Sequence, residues 1–207
     1  MGPETIIATV ALALGASWCA GLNLYATIAV LGLMHRYVNG FTLPEHLQVL
    51  GSDWVIWPAL FMYCVEFLAD KIPTIDTAWD TLHTFIRVPA GAVLAAAALG
   101  DVPDEVRFGA ALIGGTLAFG SHAAKASTRV AAHGSGTSPL ISPAASVVED
   151  GLVVGTLSLA AISPVVAIGL VVVMIVVAGL LLAAFWTIFR RLVRSFGRKR
   201  QPAVALQ

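Results

Sequence analysis

Six apolar runs constrain this chain more than any other feature. They cover about Ile6–Arg36, Trp54–Asp70, Thr84–Gly100, Phe108–Thr128, Ala145–Ser163 and Val165–Phe189. A helix crosses the hydrocarbon core of a bilayer with about 20 apolar residues (range about 17–25). In lipid a spanning segment must satisfy its own backbone hydrogen bonds, so runs of this kind are expected as helices. Charged residues make up 12% of the chain, about half the share of a soluble domain. Mean hydropathy is +0.87. The expected class is an all-α integral membrane protein with about six transmembrane helices. They would form a single transmembrane domain over residues 1–207, with a basic cytoplasmic tail at 190–207.

The N-terminal run has Glu4 but no basic residue ahead of it, so it reads as a retained span and not a signal peptide. The two cysteines, Cys19 and Cys64, sit in apolar runs and are expected as buried thiols. Trp54 and Trp57 suit an interfacial belt at the start of the second span. The first run has 31 residues, which is about 46 Å of helix against a core of about 30 Å. It must tilt, project or break, and Gly15, Ser17, Gly21 and Asn23 supply the weak point.

Orientation follows from the basic residues. Arg190, Arg191, Arg194, Arg198, Lys199 and Arg200 crowd the C-terminus, which the positive-inside rule places in the cytoplasm. Six spans then put the N-terminus inside as well. Lys71, Arg87, Lys125 and Arg129 also fall inside, and only Arg36 and Arg107 outside, a split of ten to two among the twelve basic residues. The tail is an anchor that can also meet anionic lipid.

LGASWCAGLN (14–23) can be laid on IGGTLAFGSH (113–122). Gly15 then meets Gly114, Ser17 meets Thr116, Gly21 meets Gly120, and Asn23 meets His122. The reading that follows is two inverted three-helix repeats, about 5–100 and 104–189. Inverted repeats build many transporters, with the site where the halves meet.

Ionisable residues recur at one depth. Glu66 lies twelve residues past Trp54, about 18 Å in, with Asp70 one turn deeper on the same face. His122, Lys125 and Arg129 share a face of the fourth span, and Glu149 and Asp150 open the fifth. A charge at the centre of a span costs about 2.5–3.5 kcal/mol, so these groups should face one another or water. Expected pairs are Glu66 or Asp70 with Lys125, and Glu149 or Asp150 with His122. Each also has a plainer reading. Glu66, Asp70 and Lys71 could be interfacial anchors; His122 and Lys125 a structural pair; Glu149 and Asp150 complements to a helix dipole; Asn23 a packing hydrogen bond.

Residues 74–86 give one apolar stripe, Ile75, Trp79, Leu82 and Ile86, and one polar stripe, Asp76, Asp80, His83 and Arg87. This pattern predicts a short amphipathic helix on the inner membrane surface, with Asp76 and Asp80 in water. Asp76, Asp80 and His83 have metal-like spacing, but a solvated face explains them better, and no metal or other cofactor is expected. HGSGTSPLISPAAS (133–146) is expected as a flexible loop, with a counterpart at 42–52. The sequence has no Walker loop, HExxH, CxxC or G-x-S-x-G motif. Nothing points to nucleic acid.

Four stretches, GLNLYATIAVLGLMHRY, EFLADKIPTIDTAWDTLHTFIR, SHAAKASTR and the SP-containing loop before VED, resemble the bacterial membrane family catalogued as domain of unknown function 4126. The resemblance covers nearly the whole chain and implies a multi-spanning inner-membrane protein without an assigned substrate. EFLADK also resembles the E-x-G-D-K-[TS] motif of a cation/proton exchanger family with two inverted three-helix halves. It departs by one extra residue between Glu66 and Asp70, and by Ile72 in place of a hydroxyl residue. The function expected is movement of a small ion or solute, with protons as a coupling ion and no enzymatic activity. Glu66 and Asp70 would carry charge, while His122 and Lys125 exchange partners. The alternatives are a membrane scaffold with structural ion pairs, and a lipid-phosphate enzyme using His122, Lys125 and Arg129. Expected partners are membrane lipids, the transported solute and a second copy in a homo-oligomer.

Overall fold

The computed structural model describes residues 2–198; the side chains of 73–78, 138–142, 192 and 195–198 are outside the described set. Among the described residues the protein is all helical, without a strand. The helices are α1 (Pro3–Leu22), α2 (Leu24–Tyr37), α3 (Asp53–Ala69), α4 (Pro73–Ala98), α5 (Asp104–Gly134), α6 (Ser138–Ile162) and α7 (Pro164–Arg198). A 3-10 turn, Glu45–Gly51, precedes α3 and meets it at 64°.

Local chemistry sets the boundaries. Pro3, Pro73 and Pro164 open α1, α4 and α7, where a missing N–H costs nothing. After α4, Gly100 turns the chain at a φ of +66°, a conformation that suits glycine. The long first run breaks at Asn23, whose φ of −147° is extended. Asn23 then caps α2, its side-chain oxygen accepting from the Ala26 N–H at 3.0 Å.

Among the described residues four helices are long and apolar enough to cross a membrane: Pro3–Leu22, Trp79–Ala98, Pro143–Ile162 and Pro164–Arg191. The 3-10 turn and α3, counted together as one bent span, bring the number to as many as five. The outer surface agrees with burial in lipid: Trp54 is 90% exposed, Phe85 79% and Ile162 81%. Water would not tolerate that much contiguous apolar surface on a monomer. The protein is therefore a membrane protein by its surface as well as by its helices.

Helices α1, α4 and α5 form the closely packed centre, and α7 packs on α1 and α5. Small residues permit the close approach. A Cβ on Gly21 would collide with Ser121 Oγ and the Ala118 carbonyl, and one on Gly114 with Ala95 and the Gly91 carbonyl. Ser17 Oγ donates to the Gly91 carbonyl at 2.9 Å, and Ser121 Oγ to that of Trp18 at 2.8 Å.

Three expectations change. No separate surface helix covers 74–86, because α4 runs unbroken from Pro73. The described part of its polar stripe faces inward, with Asp80, His83 and Arg87 buried and Leu82, Phe85 and Ile86 exposed. With lipid outside, an amphipathic helix turns its polar face to the interior. The expected loop at 133–146 shrinks to residues 135–137, since α5 reaches Gly134 and α6 starts at Ser138. Cys64 is exposed, and only Cys19 is buried.

Candidate functional site

The break at Asn23 exposes carbonyls inside the protein. An α-helix leaves its last carbonyls without intrahelical partners, and its C-terminus carries partial negative charge. Cations answer both: Lys125 Nζ donates to the Leu22 carbonyl at 2.9 Å, and Arg87 to that of Gly21 at 3.5 Å. On the other side of the break, Asn23 Nδ2 donates to Asp150 Oδ1 at 3.0 Å. Tyr63 OH donates to Asp150 Oδ2 at 2.7 Å.

Around this break α3, α4, α5 and α6 bring their charges together. Arg87 bonds Glu66 Oε1 at 2.6 Å, with both side chains fully buried. Arg129 grips Asp70 with two bonds, at 2.9 and 2.8 Å, the strong fork geometry of guanidinium and carboxylate. It also reaches Asp80 at 3.2 Å and Glu149 at 3.3 Å. Lys125 stands at the centre. Its ammonium is 3.0 Å from Glu149, 3.4 Å from Glu66, and 4.0 Å from both Asp70 and Asp80. Ser146 adds a hydrogen bond to Asp70 at 3.0 Å.

Among the described side chains the formal charges do not cancel. Glu66, Asp70, Asp80 and Glu149 face Arg87, Lys125 and Arg129, so 3 − 4 leaves −1, and Asp150 at the margin makes −2. Glu66 Oε2 is buried with no hydrogen-bond partner among the described residues. A buried carboxylate oxygen without a donor is costly, and a proton or a cation would relieve it.

Two histidines border the network. Arg87 donates to His122 Nδ1 at 2.9 Å. His122 Nε2 lies 2.7 Å from Thr84 Oγ1, whose own proton goes to the Asp80 carbonyl. These partners assign His122 as neutral with its proton on Nε2, because Nδ1 must accept. His83 Nδ1 lies 2.8 Å from the Trp79 carbonyl, so its Nε2 accepts from Tyr25 OH at 3.1 Å. A pocket of about 160 Å³, lined by Asp80, Thr84, His122 and Arg129 among others, opens between α4 and α5. On the far side of Arg129 lies an apolar cavity of about 420 Å³ between α1, α5, α6 and α7.

The network gathers Glu66, Asp70, His122, Lys125, Glu149 and Arg129 in one place, with Asn23 and Asp150 at its rim. The expected partner of Glu149 and Asp150 is corrected: Glu149 meets Lys125 and Arg129, Asp150 meets Asn23 and Tyr63, and His122 meets Arg87 and Thr84. Asp80 and His83, expected in water, are 4% and 2% exposed. Lys71 stays outside the network, its ammonium 3.0 Å from the centroid of the Phe67 ring. Asp76, the third residue of the metal-like spacing with Asp80 and His83, has its side chain outside the described set. Sequence reasoning missed Arg87 as a site residue, although an arginine at the start of an apolar run was the available signal. Tyr25, Tyr63, Thr84 and Ser146 gave no such signal.

Fold and site together define a class: a helical membrane protein with a charge network enclosed by several helices. The chain belongs to the family described as domain of unknown function (DUF4126), which it matches over residues 10–184. No curated protein and no solved structure matches it.

Proposed function

We propose that this protein moves a small cation, or a small solute together with protons, across the bacterial inner membrane. The supporting observation is the buried network, which among the described residues has a formal excess of negative charge and a Glu66 oxygen without a hydrogen-bond partner. A network meant only to hold helices together has no need of that excess. In this reading six spans form two inverted halves, about 5–100 and 104–189, with both termini cytoplasmic. Counting the broken α1–α2 pair as one span and adding α5 gives three helices in each half. The network also joins side chains of both halves. The broken α1–α2 segment presents backbone carbonyls to the charges, as discontinuous helices do at ion sites in transporters.

The residues have distinct parts. Glu66 and Asp70 take up the proton or cation. Lys125, within 4.0 Å of four carboxylates, moves among them as one is neutralised. Protonating His122 on Nδ1 removes the acceptor that holds Arg87, so His122 ties proton uptake to that contact. The exposed Arg190, Arg191 and Arg194 on α7 meet anionic lipid on the cytoplasmic side.

The test is flux into proteoliposomes screened over cations and pH. Wild-type protein should carry flux that Glu66→Gln lowers about tenfold or more while the variant stays monodisperse. Undiminished flux in Glu66→Gln would falsify the assigned role. A second reading, a non-transporting scaffold, is favoured by the two-bond Asp70–Arg129 pair and its Ser146 support, which suit a permanent clasp. It predicts no flux for any ion and co-purification with a partner protein. A lipid-phosphate enzyme is disfavoured because Lys125 and Arg129 are already held by carboxylates.

A further inference from the structure

Glu66, Asp70, Arg87 and Lys125 are buried, and the pocket between α4 and α5 is a way in to them. Asp80, His122 and Arg129 line it, and through them it meets Arg87 and Asp70. Thr81 and Val130, both exposed, form its mouth. On α4 the stripe of Thr81 and Thr84 stands between two others: Leu82, Phe85 and Ile86 face outward, and Asp80, His83 and Arg87 inward. Across from these hydroxyls α5 presents Ala126 and Val130, and the short Ala126 side chain leaves the room.

Position and chemistry decide what fills the pocket. Thr81 is the third residue of the apolar span Trp79–Ala98, about 3 Å past its start. Val130 stands four residues before α5 ends at Gly134, about 6 Å from that end. The mouth therefore lies at the level of headgroups and water, not of acyl chains. Five of the seven lining residues have polar side chains, and water fills a space only where such partners exist. A volume of about 160 Å³ holds several waters at about 30 Å³ each, yet is below the ~300 Å³ at which ligand pockets begin. We propose that the pocket is a water-filled port through which water, protons and small inorganic ions reach Asp80 and His122, and organic solutes do not. The port does not rest on the transport reading, because a scaffold would hold the same water; on that reading it narrows the substrate to a proton or an inorganic cation.

The experiment places single cysteines in the full chain carrying Cys19→Ala and Cys64→Ala, in lipid nanodiscs, where both faces meet water. A thiol reacts as its thiolate, which forms in water and not among acyl chains. The probes are the silver ion, a bare monovalent cation, and the bulkier trimethylammonium-ethyl methanethiosulfonate; reaction is read as protection from maleimide after denaturation. Ala126→Cys, at the mouth, should react with both probes at least about tenfold faster than Phe85→Cys on the outward stripe. His122→Cys, at the inner end, should keep pace with Ala126→Cys for silver and fall about tenfold or more behind it for the bulkier probe. Ala126→Trp, which leaves every charge in place, should slow the silver reaction of His122→Cys by about the same factor. Equal reaction of Ala126→Cys and Phe85→Cys would assign the pocket to lipid and overturn the proposal. So would a His122→Cys variant closed to silver, one equally open to both probes, or one that Ala126→Trp leaves unchanged. If His122→Cys does not fold, the comparison of Ala126→Cys with Phe85→Cys decides the matter. Flux is a separate readout: the expected labelling without flux keeps the port and removes the transport reading.

Discussion

Arg87 is 0% exposed and touches Glu66, Asp80, His122 and the Gly21 carbonyl. Removing one partner of a buried ion pair typically costs about 3–5 kcal/mol, because the other is left uncompensated. Arg87→Met should therefore lower thermal stability in detergent sharply, and adding Glu66→Gln should recover part of the loss. A mild effect with no recovery would place Arg87 outside the network. Glu66, Asp70, Lys125 and Glu149 were legible in the sequence because an ionisable residue deep in an apolar run must find a partner. Asp80 and His83 were not. Their spacing gives the same stripe whether the helix lies on a membrane or crosses it, and only depth sets which face is wet. Partner choice was also beyond the sequence, because it depends on helix rotations that spacing leaves open.

At the scale of elements, the Asn23 break and the α1–α4–α5 contact place the site. Asn23→Leu removes the α2 cap, worth about 1 kcal/mol, and the donor to Asp150. It should lower stability and, on the transport reading, activity as well. Gly114→Leu would drive a side chain into Ala95 and the Gly91 carbonyl, and overpacking of this kind costs about 1–3 kcal/mol or more. Loss of monodisperse protein on gel filtration is the expected result. The sequence left tilt, projection or a break open for a run of 31 residues, and Asn23 was one of four residues offered as its weak point. It did not show that freed carbonyls would meet cations from α4 and α5. The paired glycines of the two halves also part company: Gly21 is tightly packed, while Gly120 has open space around it. Glycine matches therefore said little about packing.

At the scale of the molecule, orientation rested on ten basic residues against two. Arg87, Lys125 and Arg129 belong to the buried network, so they are no evidence for which loops lie inside. Seven against two remain, six of them in the C-terminal stretch. Single cysteines at Gln48 and Arg194, in a chain carrying Cys19→Ala and Cys64→Ala, should react with an impermeant maleimide from opposite sides of the cell membrane. Labelling from the same side would remove the proposed topology.

The most direct measurement is a double-mutant cycle on Asp70 and Arg129, which join α3 to α5 across the two proposed halves. With Asp70→Asn, Arg129→Gln and both together, thermal stability in detergent should show a coupling above about 1 kcal/mol. Strictly additive losses would mean that these side chains do not share one interior, and the site built around them would not stand.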